Sequence, residues 1–229
     1  FGFYVAQFPS TLTGYACGYT GAVFKTTNGG DNWSHMTAGT SEIVKHMHFV
    51  DDNTGYVVSG VSFAQPNKVR KTTNGGNSWA LVSDLAGSMI VGGMYFFDAS
   101  TGVIVGSGGT EEIRKSYDGG VTWTSKYSGT SSAVLQGLSF QGSHGWAVGD
   151  GGRIIKTTDA GENWTIDTVI SGSPFLAVSQ AGQIVNTVGG SGRIYRRDLA
   201  TVIEPLTGVQ SPDKFLLSQN YPNPFNPVT

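Results

Sequence analysis

Apolar positions in this chain fall into short clusters interrupted by glycine and small polar residues, and the clusters recur. Four share one shape, TGYACG (13–18), TGYVVS (54–59), TGVIVG (101–106) and HGWAVG (144–149), and each reads as a short strand. Upstream of each lies a second apolar phrase: VAQF (5–8), HMHF (46–49), MYF (94–96) and LSF (138–140). Phe8, Phe49 and Phe96 each stand six residues before the glycine of the following phrase, and Phe140 stands five before Gly145. Downstream comes a polar turn ending in tryptophan: KTTNGGDNW (25–33), KTTNGGNSW (71–79), KSYDGGVTW (115–123) and KTTDAGENW (156–164). A further extended stretch follows the tryptophan, as in WALVSD (79–84) and WTSKYS (123–128). Trp33, Trp79, Trp123 and Trp164 are 46, 44 and 41 residues apart, so the pattern is a repeat.

Four short strands in about 40 to 47 residues are the signature of a propeller blade. The fold expected is therefore all-β, a β-propeller of four-stranded antiparallel blades. A fifth copy is degraded: NTVGGSGRIYRR (186–197) aligns with WAVGDGGRIIKT (146–157) at a spacing of 40 but lacks the turn and the tryptophan. Five blades suffice for a small ring, since propellers use about four to eight. A larger ring shortened at its amino-terminal side is the alternative.

Within the turns the columns read Ser/Thr, Asn/Asp, Gly and Trp: Thr26, Asn28, Gly30, Trp33; Thr72, Asn74, Gly76, Trp79; Ser116, Asp118, Gly120, Trp123; Thr157, Asp159, Gly161, Trp164. Asn and Asp accept hydrogen bonds from nearby backbone amides, and glycine takes the position where a side chain would clash. Tryptophan starts the returning strand and can bury about 150 to 250 Å² of ring. The turn is thus expected to lock a hairpin, and it is repeated because the blade is.

These columns resemble the Asp-box, or BNR, repeats of sialidases and other propellers. With its GYxVG and GxIxKTTDGGxxW phrases the array is most similar to the photosystem II assembly factor type of BNR propeller, over about residues 5 to 197. The resemblance implies a structural Asp box on the blade periphery, away from the active face. After Arg197 the repeat stops. Residues 198–214 read as a final strand and linker, and the domain plan expected is 1–200 propeller, 201–215 linker and 216–229 the start of a further domain. Leu216 to Thr229, LLSQNYPNPFNPVT, resembles the opening of the type IX secretion system C-terminal sorting domain. That resemblance implies a bacterial protein, secreted or on the cell surface, whose tail meets the secretion machinery.

Composition agrees with the strand reading. With 34 glycines and only 13% charged residues, little helix is expected. A formal net charge of −2 gives no general attraction to nucleic acid or an anionic membrane, so neither is expected as a partner. The lone cysteine, Cys17, allows no internal disulfide. No apolar run approaches the roughly 20 residues of a membrane-spanning helix. The chain opens on Phe1 without a signal-like n-region, which reads as a mature or truncated start.

Candidate chemistry is sparse. A sialidase needs an arginine trio, yet Arg153 and Arg193 fall in equivalent third-strand columns, and Arg70 and Arg114 each precede the motif lysine, which points to repeated structural or surface roles. Two carboxylates about 5 to 9.5 Å apart would serve a glycosidase. Glu111 and Glu112 read as loop residues, Asp150 and Asp167 as turn residues, and no pair stands out. His46 and His48 alternate on an inner strand with their imidazoles to one side, but spacing implies no third ligand. No metal or cofactor is expected and no catalytic residue is assigned. The leading expectation is a non-catalytic propeller that binds or scaffolds a protein or glycan. Two alternatives stand beside it: an Asp-box glycoside hydrolase with catalytic residues in loops or missing blades, and an assembly-factor-like propeller that binds a membrane-protein segment through Arg114, Arg153 and Arg193.

Overall fold

Residues 2–60, 67–85 and 89–199 are described here, from a computed structural model. They form five antiparallel sheets that follow one another in chain order. The first contains β1 (Phe3–Gln7), β2 (Gly14–Gly18), β3 (Ala22–Thr26) and β4 (Ser34–Thr37). The second contains β5 (Val44–Phe49), β6 (Gly55–Ser59), β7 (Lys68–Thr72) and β8 (Ala80–Asp84). The third runs β9 (Ile90–Phe96), β10 (Gly102–Ser107), β11 (Glu111–Ser116) and β12 (Thr124–Ser128). The fourth runs β13 (Leu135–Gln141), β14 (His144–Gly149), β15 (Arg153–Thr157) and β16 (Thr165–Val169). The fifth has three strands among the described residues, β17 (Phe175–Ala181), β18 (Ile184–Gly189) and β19 (Ile194–Asp198). Helical backbone there is limited to one-turn 3-10 segments at Tyr19–Gly21, Asp150–Gly152 and Gly190–Gly192. The architecture is the all-β propeller that the repeat implies. The presumed linker and sorting segment, 201–229, lie outside the described residues.

Two local expectations need correction. The repeated tryptophans stand one residue before the returning strands, which begin at Ser34, Ala80, Thr124 and Thr165. Glu111 and Glu112 are not loop residues but the first two positions of β11, and Asp167 lies within β16. The polar start of β11 masked a strand whose buried positions include ion-paired Glu111 and Lys115 beside Ile113. Asp150 does sit in a turn.

The hairpin between third and fourth strands is closed by one hydrogen-bond pattern in four copies. The hydroxyl of the Ser/Thr donates to the Asn/Asp and accepts the glycine amide: Thr26 to Asn28 (2.8 Å) and from Gly30 (3.0 Å), Thr72 to Asn74 (3.0 Å) and from Gly76 (3.0 Å). Ser116 pairs likewise with Asp118 (2.9 Å) and Gly120 (2.8 Å), and Thr157 with Asp159 (2.7 Å) and Gly161 (3.0 Å). The Asn/Asp oxygen then accepts the amide four residues on, at Asn32, Ser78, Thr122 and Asn163. At Gly30, Gly76, Gly120 and Gly161 φ is positive, between 84° and 103°, where a side chain would be strained. Bonds from the Thr122 hydroxyl and amide hold the Asp118 carboxyl down at about 2.

Apolar side chains gather between neighbouring sheets rather than within any one of them. Tyr15, Cys17 and Val23 of the first sheet pack on Val44, Met47 and Phe49 of the second. Val58 and Val69 pack on Met94 and Phe96, and Val105 and Ile113 on Leu135 and Phe140. Val148 and Ile154 meet Phe175 and Val185 of the fifth. Each phenylalanine of the first-strand column lies against the glycine opening the paired strand. A Cβ on Gly55, Gly102 or Gly145 would come within 2.5 Å of Phe49, Phe96 or Phe140.

Polar ties reinforce the first three joints. Lys25 Nζ donates to the Gly75 carbonyl (3.1 Å), Lys71 to Ala99 (2.7 Å) and Lys115 to Ala160 (2.9 Å), each in the following sheet. The Tyr15 and Tyr56 hydroxyls reach the Asp52 (2.8 Å) and Ala99 (2.7 Å) carbonyls in the same direction. Desolvation, with the nearby Asp52 charge, pushes the Tyr15 phenol up to about 12.

Replacing Thr72 by Val keeps the shape of a side chain only 1% exposed but strands the Gly76 amide. Stability should fall by about 1–3 kcal/mol, read as a lower urea midpoint with an unchanged slope.

Candidate functional site: the central cavity

The first strands of all five sheets line one cavity of about 700 Å³. Tyr4 and Val5 come from β1, Lys45, His46 and Met47 from β5, Ile90 to Met94 from β9, Gln136 to Leu138 from β13, and Leu176 to Val178 from β17. Three glycines let these strands approach closely: a Cβ on Gly92 would meet the Leu135 carbonyl at 2.0 Å, and those on Gly93 and Gly137 would crowd Leu138 and Ala177 at 3.0 Å. The wall is therefore partly bare backbone. Among the described lining residues there is no carboxylate, and Lys45 is the one side chain charged at neutral pH.

His46 and His48, expected to share one side of their strand, both reach the neighbouring sheet. His46 Nε2 donates to the Val91 carbonyl (3.0 Å), while His48 Nδ1 accepts the Phe96 amide (3.3 Å). Burial lowers both imidazoles to about 4, so each is neutral at pH 7. Gln7 and Ser139 fill similar places at other joints, Gln7 bonding both backbone groups of Phe49 and Ser139 accepting the Gln180 amide. The histidine pair thus fastens one inner strand to the next. Among the described residues no three His, Cys, Asp or Glu side chains are gathered as a metal site would need.

The arginines expected to bind a partner fall on three successive sheets and are differently engaged. Arg114 is paired with Glu112 (2.7 Å) on its own strand. Arg153 at the start of β15 is ion-paired with the fully buried Glu111 of the preceding sheet. Arg193 is exposed and donates to the Ser171 carbonyl (3.4 Å). Burial raises the Glu111 carboxyl against the opposing pull of Arg153. Other carboxylates are also held: Asp167 by Lys156 (2.7 Å) and Arg197, and Glu162 by Lys115 and Lys126 (2.7 Å each). Lys115, Lys126 and the Tyr117 hydroxyl bring Glu162 down to about 2. The Glu111–Arg153 and Glu162–Lys115 pairs join residues far apart in sequence, and spacing alone gave no sign of either. The sixteen turn residues from Thr26 to Trp164 lie at the outer hairpins, apart from the residues that line the cavity.

Radial sheets braced by Asp-box turns around a common cavity define the chain as a BNR-type β-propeller. Within that class it belongs to the family of the photosynthesis system II assembly factor YCF48, whose sequence profile matches residues 83–202. The photosystem II assembly lipoprotein Ycf48 of Synechococcus sp. (strain CC9902) is 31% identical over 107 residues, covering 44% of this chain and 32% of that relative. The chain thus spans about a third of that curated relative's length. Among solved structures, YCF48 bound to D1 peptide is 17% identical, with a TM-score of 0.51 over 86% of this chain and 77% of that one. An ancestral GH74 enzyme is 17% identical, with a TM-score of 0.67 over 88% of this chain and 30% of that one. At such identities the structural matches establish the fold. Among the described residues no helix is long and apolar enough to cross a membrane.

Because His46 and His48 have lowered pKa values in the fold, the unfolded chain takes up protons first as pH falls from about 6.5 towards 4. Stability should be full above that window and decline through it, by on the order of 3 kcal/mol per imidazole. Urea midpoints at pH 7 and about pH 5.5, where most ordinary carboxylates stay ionised, test this, and His48→Asn should flatten the slope. Arg153→Met should cost about 3–5 kcal/mol by leaving Glu111 buried without its cation, and adding Glu111→Met should restore most of the loss in thermal melts.

Proposed function

We propose that this chain is a non-catalytic propeller that binds a polypeptide segment, taken up at the cavity mouth. The observation that carries this is the cavity's chemistry: apolar side chains such as Ile90, Met94 and Leu176 mixed with His46 and Gln136, bare backbone on β9 and β13, and Lys45 as the one charged side chain among the described lining residues. Such a lining suits an extended apolar segment carrying one negative charge, whose backbone can meet exposed strand edges. The solved relative that holds a D1 peptide supports a peptide ligand here. A membrane-protein segment is the form of that ligand which the family's assembly role favours. Hydrolysis is less well supported, because Glu111, Glu112, Glu162 and Asp167 are all held in ion pairs.

We further propose an exported protein, secreted or surface-attached, on the strength of the LxQNYPNPFNPxT phrase at 216–229. Cell fractionation with an antibody to the chain would find it outside the cytoplasm. A wholly cytoplasmic distribution would end that part of the reading.

Selection from a displayed random-peptide library should enrich apolar sequences with one acidic residue. Lys45→Glu should weaken those peptides about tenfold or more, while a panel of glycans shows no binding. Saturable glycan binding with no enriched peptide would reject the peptide reading.

A further inference from the structure

Asn28-Gly29 and Asn74-Gly75 are the two Asn-Gly pairs of the chain, and both sit inside a braced turn. Such a pair is chemically fragile. The glycine nitrogen can attack the asparagine carboxamide carbon with no side chain in the way, closing a cyclic imide and expelling ammonia. Both asparagines are exposed, so water reaches them and burial gives no shelter. Geometry does. The attacking amide is committed elsewhere: Gly29 donates to the Leu12 carbonyl (2.9 Å) and Gly75 to the Asn53 carbonyl (2.8 Å), each in the loop between the first and second strands of the same sheet. The carboxamide is held as well. Asn28 Oδ1 accepts the Thr26 hydroxyl (2.8 Å) and the Asn32 amide (3.0 Å), and Asn74 Oδ1 accepts the Thr72 hydroxyl (3.0 Å) and the Ser78 amide (2.9 Å). Asn74 Nδ2, the group that would leave, donates to Ser78 Oγ (2.9 Å).

The other two copies show which product the turn accepts. Asp118 and Asp159 stand in the same column and make the same bonds to the Ser/Thr hydroxyl and to the amide four residues on. The amide that follows each is tied to the same loop, Gly119 to Ser100 (2.7 Å) and Ala160 to Ser143 (2.8 Å). A change from asparagine to aspartate therefore leaves the brace intact. Isoaspartate does not. It routes the main chain through the former side chain and lengthens it by an atom, so the Thr72–Gly76 (3.0 Å) and Asn74–Ser78 bonds lose their spacing.

We propose that Asn28 and Asn74 are latent deamidation sites, closed in the folded propeller and opened when the turn parts from the loop beside it. The N–Cγ bond forms as Cγ–Nδ2 breaks, and ammonia leaves with the amide proton. Water then opens the imide, to aspartate if it cleaves the new bond and to isoaspartate if it cleaves the original peptide bond. Aspartate lets the turn form again and isoaspartate blocks it, so part of each unfolding event becomes permanent. The chain is incubated at mildly alkaline pH, folded or unfolded in guanidinium chloride, and chromatography with mass spectrometry of its digest separates the three forms. A synthetic peptide of residues 71–79, run in both media, corrects for the solvent. Both sites should convert at least about tenfold more slowly in the folded chain, because the reaction there waits on local opening. Conversion of the folded chain at the peptide's rate overturns the proposal. Asn74→Asp should keep the parent's urea midpoint, and a clearly weakened or unfolded variant would contradict the tolerance of aspartate on which the proposal rests. After conversion and refolding, proteolysis in graded urea should cut isoaspartate-bearing chains first, with aspartate-bearing chains surviving alongside unconverted ones. Equal resistance of the three forms also overturns the proposal.

Discussion

The structure rests on the apolar joint between successive sheets. A four-stranded sheet of five-residue strands is too thin to bury a core of its own, and each sheet here completes its burial only when the next one lies against it. Cys17 and Val23 are dry because Val44 and Phe49 cover them, and the same pairing recurs three times. Glycine at the head of each second strand is part of this joint, since any side chain there would displace the phenylalanine that fills it. The outer turn has a different task. Its Ser/Thr and Asn/Asp side chains bond within a few residues of one another, while its carbonyls at Gly75 and Ala160 receive lysines of the preceding sheet.

This division explains what could be read from the sequence. The turns were legible to the residue, because Thr26, Asn28 and Gly30 act on one another over two to four positions and every participant is visible in a short window. The strand columns were legible because they repeat. The motif lysine was recognised as part of a phrase without a role being found, since Lys25 acts on a carbonyl 50 residues away. Glu111 was misplaced for the same reason: two adjacent glutamates look like a loop until Arg153 of the next sheet and Arg114 of the same strand are seen beside them. The histidines were rightly placed on an inner strand, but their partners are backbone groups of β9, which no spacing rule encodes.

The cavity was the least legible feature. Its wall is drawn from five segments spread over some 170 residues, and much of it is backbone at Gly92, Gly93 and Gly137 rather than a set of reactive side chains. Such a wall carries no carboxylate among its described lining residues, and a sequence window cannot show it. Bare strand backbone reads the conformation of a ligand more than its side chains.

The lysine ties also give the array a polarity. Lys25, Lys71 and Lys115 each lean forward onto the unit that follows, whereas Lys156, ahead of a unit without the turn, folds back onto Asp167 of its own sheet. A duplicated unit could enter such a row at any internal point and find an acceptor ready for its cation. Loss of the turn that receives Lys25 or Lys115 would cut that linkage, whereas Lys71 reaches Ala99 between β9 and β10 and would keep its acceptor. Where the row ends, Asp167 fills the acceptor's place, taking Lys156 within its own sheet and Arg197 from the next.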